Sequence, residues 1–471
     1  MKNGNSIPKQ TRPPIVAVLG HVDHGKTTLL DSIRKTDIQK REAGGITQRI
    51  GASTVTTEDG YEITFIDTPG HAAFTKMRSR GATVADIAIL VIAAEEGVKP
   101  QTREALGFIR EAKIPFIVAV TKIDLPSASV ETATSQLEQE GVLFEGRGGD
   151  TPLVPLSAKT GEGLKELLEM IALVAQVNEI KGSPENELEA VIIETGKDNK
   201  GLLASAVVRD GTIKVGDDIV IGGQELRVRG LFDYLGKSVK EVSPGRAAQI
   251  IGFSEPPKVG VKVWKKGQKQ PEAQVKADTV KVVGIKEGEI AAVVKAQNMG
   301  ALEAVLANLP PEVFVVSSSV GEVTQSDVFL AKSSQAYIFS FESKTPNNVR
   351  KLAENEGVKI RTFKIIYELF EELEGMIEEG RVHIAGKAEI LAEFPYNGKR
   401  VAGCKVATGA VSKSDNVTLV RNEKELGKVK ILNIKKQKQD VGEVRQGEEC
   451  GILFVPHLDF AVGDILVAVK R

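Results

Sequence analysis

The segment Gly20-His21-Val22-Asp23-His24-Gly25-Lys26-Thr27-Thr28 follows directly on the apolar run at 15–19. Its spacing is G-x-x-x-x-G-K-[ST], which marks a strand, a glycine-rich loop and a helix that together hold a phosphate chain. The glycines let backbone N–H groups close around the anion. The helix opening near Lys26 turns its positive end toward the same charge. Lys26 has the reach for the β- and γ-phosphates, and the Thr27 hydroxyl suits Mg²⁺. Val22, Asp23, His24 and Thr28 complete the cradle.

Three more segments extend this chemistry. Ile63-Thr64-Phe65-Ile66-Asp67-Thr68-Pro69-Gly70-His71 reads as a strand ending in an acid. Asp67 there would hold Mg²⁺ through water, and the Gly70 N–H would sense the γ-phosphate. A second apolar strand ends in Thr121-Lys122-Ile123-Asp124. The Asp124 carboxylate can accept from both N1–H and the exocyclic amine of guanine, a donor pair that adenine lacks. A third strand ends in Ser157-Ala158-Lys159, where backbone N–H groups would meet guanine O6. Ligands at consecutive strand ends are what an open α/β sheet predicts. The set implies GTP and GDP rather than ATP, with Mg²⁺.

Between the first two motifs lies Glu42-Ala43-Gly44-Gly45-Ile46-Thr47-Gln48, glycine-rich and without a clean period. It reads as a switch, in which Thr47 completes the Mg²⁺ and γ-phosphate contacts only in the GTP state. His71, directly after Gly70, is the candidate for positioning the attacking water. Thr47, Gly70 and His71 thus form the expected hydrolytic set, and Thr27, Thr47 and Asp67 the expected metal set.

The elements that must position these residues change character along the chain. A polar tail, 1–12, has no apolar signal segment. Residues 13–178 alternate apolar strands with helical stretches, the doubly wound α/β pattern. A polar linker follows, and 186–264 carries short strands with glycine turns, which predicts a small β-barrel. These strands are expected at 190–194, 203–208, 218–221 and 226–229. Residues 265–277 read as a linker and 278–364 as mixed α/β. Apolar residues recur at helical spacing across 365–379, which predicts an amphipathic connecting helix. The last stretch, 380–471, is strand-rich with glycine turns, a second barrel. The expected fold is therefore a multidomain α/β plus β chain: a P-loop α/β domain, a β-barrel, an α/β third domain, a connecting helix and a C-terminal β-barrel.

Composition is compatible with this. The 471 residues are 41% hydrophobic and 27% charged, with a net charge of −1. No global field draws the chain to nucleic acid, so RNA contact must come from local patches. Segment 381–471 holds sixteen Lys and Arg against eleven Asp and Glu, and the run Lys435-Lys436-Gln437-Lys438 adds a basic patch. Only two cysteines, Cys404 and Cys450, are present, consistent with a reducing cytoplasm. The longest apolar run, 87–94, is too short for a membrane span. The five histidines offer no ligand pair in the C-terminal half.

From about residue 13 to the end, the chain resembles the translational GTPases, and among them bacterial translation initiation factor two. The phosphate loop, the switch, Asp67-Thr-Pro-Gly-His-Ala-Ala-Phe, Met77-Arg-Ser-Arg-Gly-Ala, Ala93-Ala-Glu-Glu-Gly-Val-Lys-Pro-Gln-Thr and Gly447-Glu-Glu-Cys-Gly-Ile carry the likeness. The resemblance implies ribosome-stimulated GTP hydrolysis, binding of formylmethionyl initiator tRNA and promotion of ribosomal subunit joining by a cytoplasmic monomer. It implies that His71 orients water once the ribosome docks, behind an apolar gate of Val22 and Ile46. It links Asp23 to a monovalent cation or to backbone order. It places the formyl-methionine end of the tRNA near Cys404, Glu449, Cys450 and Gly451, with Lys435 and Lys436 on phosphates. The chain is expected to depart from the family in four places. Thr121 stands where the family has Asn, which implies one donor fewer and weaker nucleotide binding. Gln437 stands where the family has an aromatic, so stacking on the terminal adenine is lost. A charged helical insert and an N-terminal extension are not found. The alternative reading is another translational GTPase, such as a specialised elongation factor.

Overall fold

Alternating side chains of the first strands are buried on both faces, which is why 15–19 and 87–93 read as unbroken apolar runs. The structure is a computed structural model. It describes residues 12–36, 47–198, 201–234, 236–268, 289–380, 383–396, 399–421, 424–437, 439–456 and 458–470. The tail at 1–11, switch residues 42–46 with Ile46, linker residues 269–277, residues 278–288 and Lys438 lie outside the described residues.

The first layer comprises β1 (Ile15–Gly20), α1 (Lys26–Arg34), β2 (Gly51–Thr56), β3 (Glu62–Asp67), α2 (Thr75–Val84), β4 (Ile87–Ala93), α3 (Pro100–Ala112), β5 (Phe116–Thr121), α4 (Val130–Gln139), β6 (Leu153–Pro155) and α5 (Leu164–Val177). The strands form one sheet in the order β2-β3-β1-β4-β5-β6, with only β2 antiparallel. Ile15, Ala17 and Leu19 join the core on one face; Val16 and Val18 join the core on the other. The chain winds outward from β1 in both directions, so the loop after β1 sits at the crevice where strand order reverses.

The second layer is β7 (Glu189–Asp198), β8 (Gly201–Asp210), β9 (Ile213–Lys214), β10 (Asp218–Ile221), β11 (Gln224–Arg227), β12 (Gly230–Phe232), β13 (Ser238–Val239), β14 (Glu241–Val242), β15 (Ala247–Ile251) and β16 (Lys262–Lys265). Eight of these pair in the order β11-β10-β16-β7-β8-β15-β12-β13, and β9 pairs with β14. One apolar cluster draws on Leu226 and Val239 at the two ends of the sheet as well as on its centre. The sheet therefore wraps around a single core. β11 begins two residues before the expected strand, because the Gly222-Gly223 turn sets Ile221 directly opposite Gln224.

The third layer alternates β17 (Ile290–Ala296), α6 (Met299–Ala307), β18 (Val313–Val320), α7 (Gln325–Ser333), β19 (Tyr337–Phe341), α8 (Asn347–Asn355) and β20 (Ile360–Phe363). Its four strands are parallel, in the order β18-β17-β19-β20. The amphipathic segment forms α9 (Ile366–Gly380).

Contacts divide the chain into two compact units, Met1–Glu372 and Leu373–Arg471. In the second unit lie β21 (His383–Tyr396), β22 (Lys399–Ser412), β23 (Asn416–Arg421), β24 (Lys424–Lys436), β25 (Gln439–Val441), β26 (Glu443–Arg445), β27 (Glu449–Val455) and β28 (Ile465–Lys470). Pairing runs β21-β28-β23-β24-β27-β22 and returns to β21, so six antiparallel strands close a barrel. Its interior is apolar, with Ile390, Leu419, Ile434, Ile452 and Leu466 fully buried. No helix among the described residues is long and apolar enough to cross a membrane.

Candidate functional site

A cavity of about 330 Å³ opens at the C-terminal ends of β1, β3 and β5. Val22, Asp23, Gly25, Lys26, Thr27, Thr28, Thr47, Gly70, His71, Thr121, Lys122, Asp124, Ala158 and Lys159 line it. These residues come from five separated segments of the sequence, and the sheet topology brings them to one place. His24, Asp67 and Ser157 are buried behind the lining.

Gly25 is the N-cap of α1 at φ +88°, with no side-chain cap. A glycine tolerates that left-handed turn, and the helix N-terminus is left open for an anion. Gly70 is required for a different reason. A Cβ there would sit 2.3 Å from Lys26 Nζ and 3.0 Å from Val22 N. Lys26 Nζ donates to the carbonyls of Gly20 (3.0 Å) and His21. Burial pulls its pKa down to about 8, against the pull of Asp67.

Thr27 Oγ1 and Thr47 Oγ1 are 2.7 Å apart. Asp67 Oδ1 is buried without a hydrogen-bond partner among the described residues. Burial raises the Asp67 carboxyl to about 6, although Arg34 and Lys26 work against it. An orphaned carboxylate oxygen at the end of β3 and a pair of converging hydroxyls are the donor types that a hard, oxygen-seeking cation takes. The residues therefore fit Mg²⁺.

His71 is 7% exposed. Its Nδ1 accepts from the Ala73 N–H at 2.9 Å, which leaves Nε2 as the protonated nitrogen of the neutral ring. Nε2 is buried and has no partner among the described residues. Burial, then the Arg78 charge, lower the pKa to about 4. Arg78 is fully buried and donates to the carbonyls of His71 and Pro69 while pairing with Glu104, so it holds the backbone that carries the ring.

At the other end of the cavity, Ser157 Oγ donates to Asp124 Oδ1 at 2.7 Å. That bond leads the causes holding the Asp124 carboxyl below its ordinary range, so it stays an acceptor. Thr121 Oγ1 donates to the His24 carbonyl at 2.6 Å. The tie between this end and the phosphate loop is thus made by threonine as well.

Three contributors were not identified as site residues from the sequence. Gln101 Oε1 accepts from the Val22 N–H at 3.1 Å. Gln48 is 3% exposed; its Nε2 donates to the Lys364 carbonyl at 2.8 Å and its Oε1 accepts from Ile366 N at 3.2 Å. Tyr367 stands edge-on to His71, with centroids 3.9 Å apart. The start of α9 therefore rests on Gln48, at the end of the expected switch, and on His71. The partners of Gln48 and Tyr367 are hundreds of residues away in sequence, and no local pattern signals them.

In the barrel a second cavity, of about 1110 Å³, gathers Cys404, Lys435, Lys436, Glu449, Cys450 and Gly451. Cys404 lies opposite Cys450, and Gly403 opposite Gly451, on β22 and β27. Leu391, Phe394, Val401 and Leu453 supply apolar wall. Both thiols are free, and burial pushes both up, Cys450 to about 11. The basic run is more neutral than its sequence suggests: Lys436 Nζ is 2.6 Å from Glu448 and Lys435 Nζ 3.6 Å from Asp440.

Residues 11–177 match the family model for the elongation factor Tu GTP binding domain, 187–265 that for elongation factor G domain 2, and 265–374 that for translation-initiation factor 2. Translation initiation factor IF-2 of Thermus thermophilus is 40% identical, over 99% of this chain and 87% of its own length. The Aquifex aeolicus protein of that name is 40% identical, over 97% of this chain and 60% of its own length. That of a Thermotoga species is 43% identical, over 97% and 70–71% respectively. The chain thus spans between 60% and 87% of the length of these relatives. It belongs to the translation initiation factor IF-2 family and carries that family's GTP-binding domain.

Proposed function

We propose that this chain is a ribosome-stimulated GTPase that delivers formylmethionyl initiator tRNA and promotes joining of the ribosomal subunits. Lys26 and the loop N–H groups bind the phosphates, and Asp124 with Ser157-Ala158-Lys159 reads guanine. Thr27, Thr47 and Asp67 would hold Mg²⁺, which when bound neutralises developing phosphate charge. His71 donates through Nε2–H to the attacking water once Tyr367 and the switch segments rearrange on the ribosome. The barrel cavity takes the acyl end of the tRNA. Segment 13–178 is the nucleotide domain and 380–471 the tRNA domain of a cytoplasmic monomer.

The observation that carries this reading is the single cavity in which four sequence motifs converge around Lys26, Thr27, Thr47, His71 and Asp124. Its test is GTP turnover by the full chain, alone and with both ribosomal subunits plus formylated initiator tRNA. Turnover is expected to be slow alone and stimulated by the assembled set. Turnover unaffected by ribosomes would contradict it.

A further inference from the structure

Thr121 ends β5 with 1% of its surface exposed. Its hydroxyl donates to the His24 carbonyl at 2.6 Å and lies 3.3 Å from the Ile92 carbonyl. A threonine hydroxyl has one proton. Here that proton faces two backbone acceptors, and none is left for a ligand. The neighbouring side-chain donors are also committed. Ser157 Oγ donates to Asp124. Lys122 Nζ is 2.5 Å from Glu95 and 3.7 Å from Glu96. The charge of Lys159 acts on Asp124.

Guanine offers N1–H and its exocyclic amine on that edge, and the acceptors N7 and O6 on another. Backbone N–H groups of the Ser157–Lys159 segment suit O6. N7 then receives no proton from Thr121, Ser157 or Lys122. We propose that this chain does not read N7: Thr121 commits its only proton to the phosphate loop, so guanine nucleotides whose N7 cannot accept a hydrogen bond, the 7-deazaguanine class, bind as well as their parents. This rests on the guanine reading above. An asparagine at 121 would differ in kind. Its amide has two protons, one for the His24 carbonyl and one for N7.

The test is equilibrium binding of GDP, 7-deaza-GDP and ADP to the full chain with Mg²⁺ present. GDP and 7-deaza-GDP are expected to agree within about threefold, less than the loss of a typical buried hydrogen bond, and both to exceed ADP greatly. A larger deficit for 7-deaza-GDP, with ADP still excluded, would overturn the proposal and leave the guanine reading standing. Equal binding of ADP and GDP would overturn both. Thr121→Asn is expected to bind GDP more tightly, by about three- to tenfold, and to lose that gain with 7-deaza-GDP. An Asn variant indifferent to the change at N7 would overturn the assignment of the missing contact to residue 121. Thr121→Val keeps the shape without the proton and is expected to weaken both guanine nucleotides alike; weakening of only one would overturn it.

Discussion

Thr27 Oγ1 and Thr47 Oγ1 are 2.7 Å apart, although one opens α1 and the other follows a separate glycine-rich segment. The two converging hydroxyls form a preorganised oxygen pair. Thr27→Val is expected to weaken Mg²⁺-dependent GTP binding by about tenfold or more, while Thr27→Ser, which keeps the hydroxyl, stays near the unmodified chain. Nucleotide titrations across Mg²⁺ concentrations distinguish the two.

Asp124 is kept ionised by the Ser157 hydroxyl. Asp124→Asn replaces an acceptor pair by an amide, so preference is expected to move from guanine toward xanthine nucleotide. Competition between GDP and XDP reads this directly. Unchanged GDP preference would remove Asp124 from base recognition.

His71 is neutral wherever the pH is well above 4. In the free chain this ring is therefore expected to show no titration between about pH 6 and about pH 8, as followed by NMR. His71→Ala is expected to lower stimulated turnover by about a hundredfold while nucleotide binding is kept. Tyr367→Ala, which uncovers the ring, is expected to raise the His71 pKa toward its ordinary value, as followed by NMR.

Glu194 gives a separate pH signature. Its Oε1 accepts from the N–H groups of Thr195 (2.8 Å) and Gly300 (3.1 Å), and burial raises its carboxyl to about 7. In the unfolded chain it returns to about 4.5. Between those values the folded chain holds a proton that the unfolded chain has released. Its contribution to stability is therefore present at low pH and lost as pH rises through that window. Glu194→Gln is expected to flatten this slope, as read from Tm at about pH 5 and about pH 8.

The nucleotide residues were legible because each motif is local and sits at a strand end. Lys26, Asp67, Asp124 and Ser157 need only the parallel order of β1, β3, β5 and β6 to meet. Gln48 and Tyr367 are not legible as site residues. Their roles come from contacts across layers, such as Gln48 on Ile366, and no sequence period records them. The expected strands at 190–194 and 203–208 lie within long hairpin strands that the structure contains. Strands β12, β13 and β14 span only two or three residues each, too few to show a period. The reading of Lys435 and Lys436 as a basic patch counted charge along the chain; in the barrel, Glu448 and Asp440 offset it.

The most direct test of the account is affinity of the full chain for formylated against deacylated initiator tRNA at two salt concentrations. With Lys435 and Lys436 proposed to contact phosphates, their removal is expected to weaken both tRNAs alike and to flatten the salt dependence. Cys404, Cys450 and Gly451 line the cavity proposed for the acyl end, so the formylated form is expected to bind more tightly at both salts. Bulky replacements at Cys404 or Cys450 are expected to erase that preference. Equal binding of the two tRNAs at both salts would contradict the acyl cavity and the initiation function built on it.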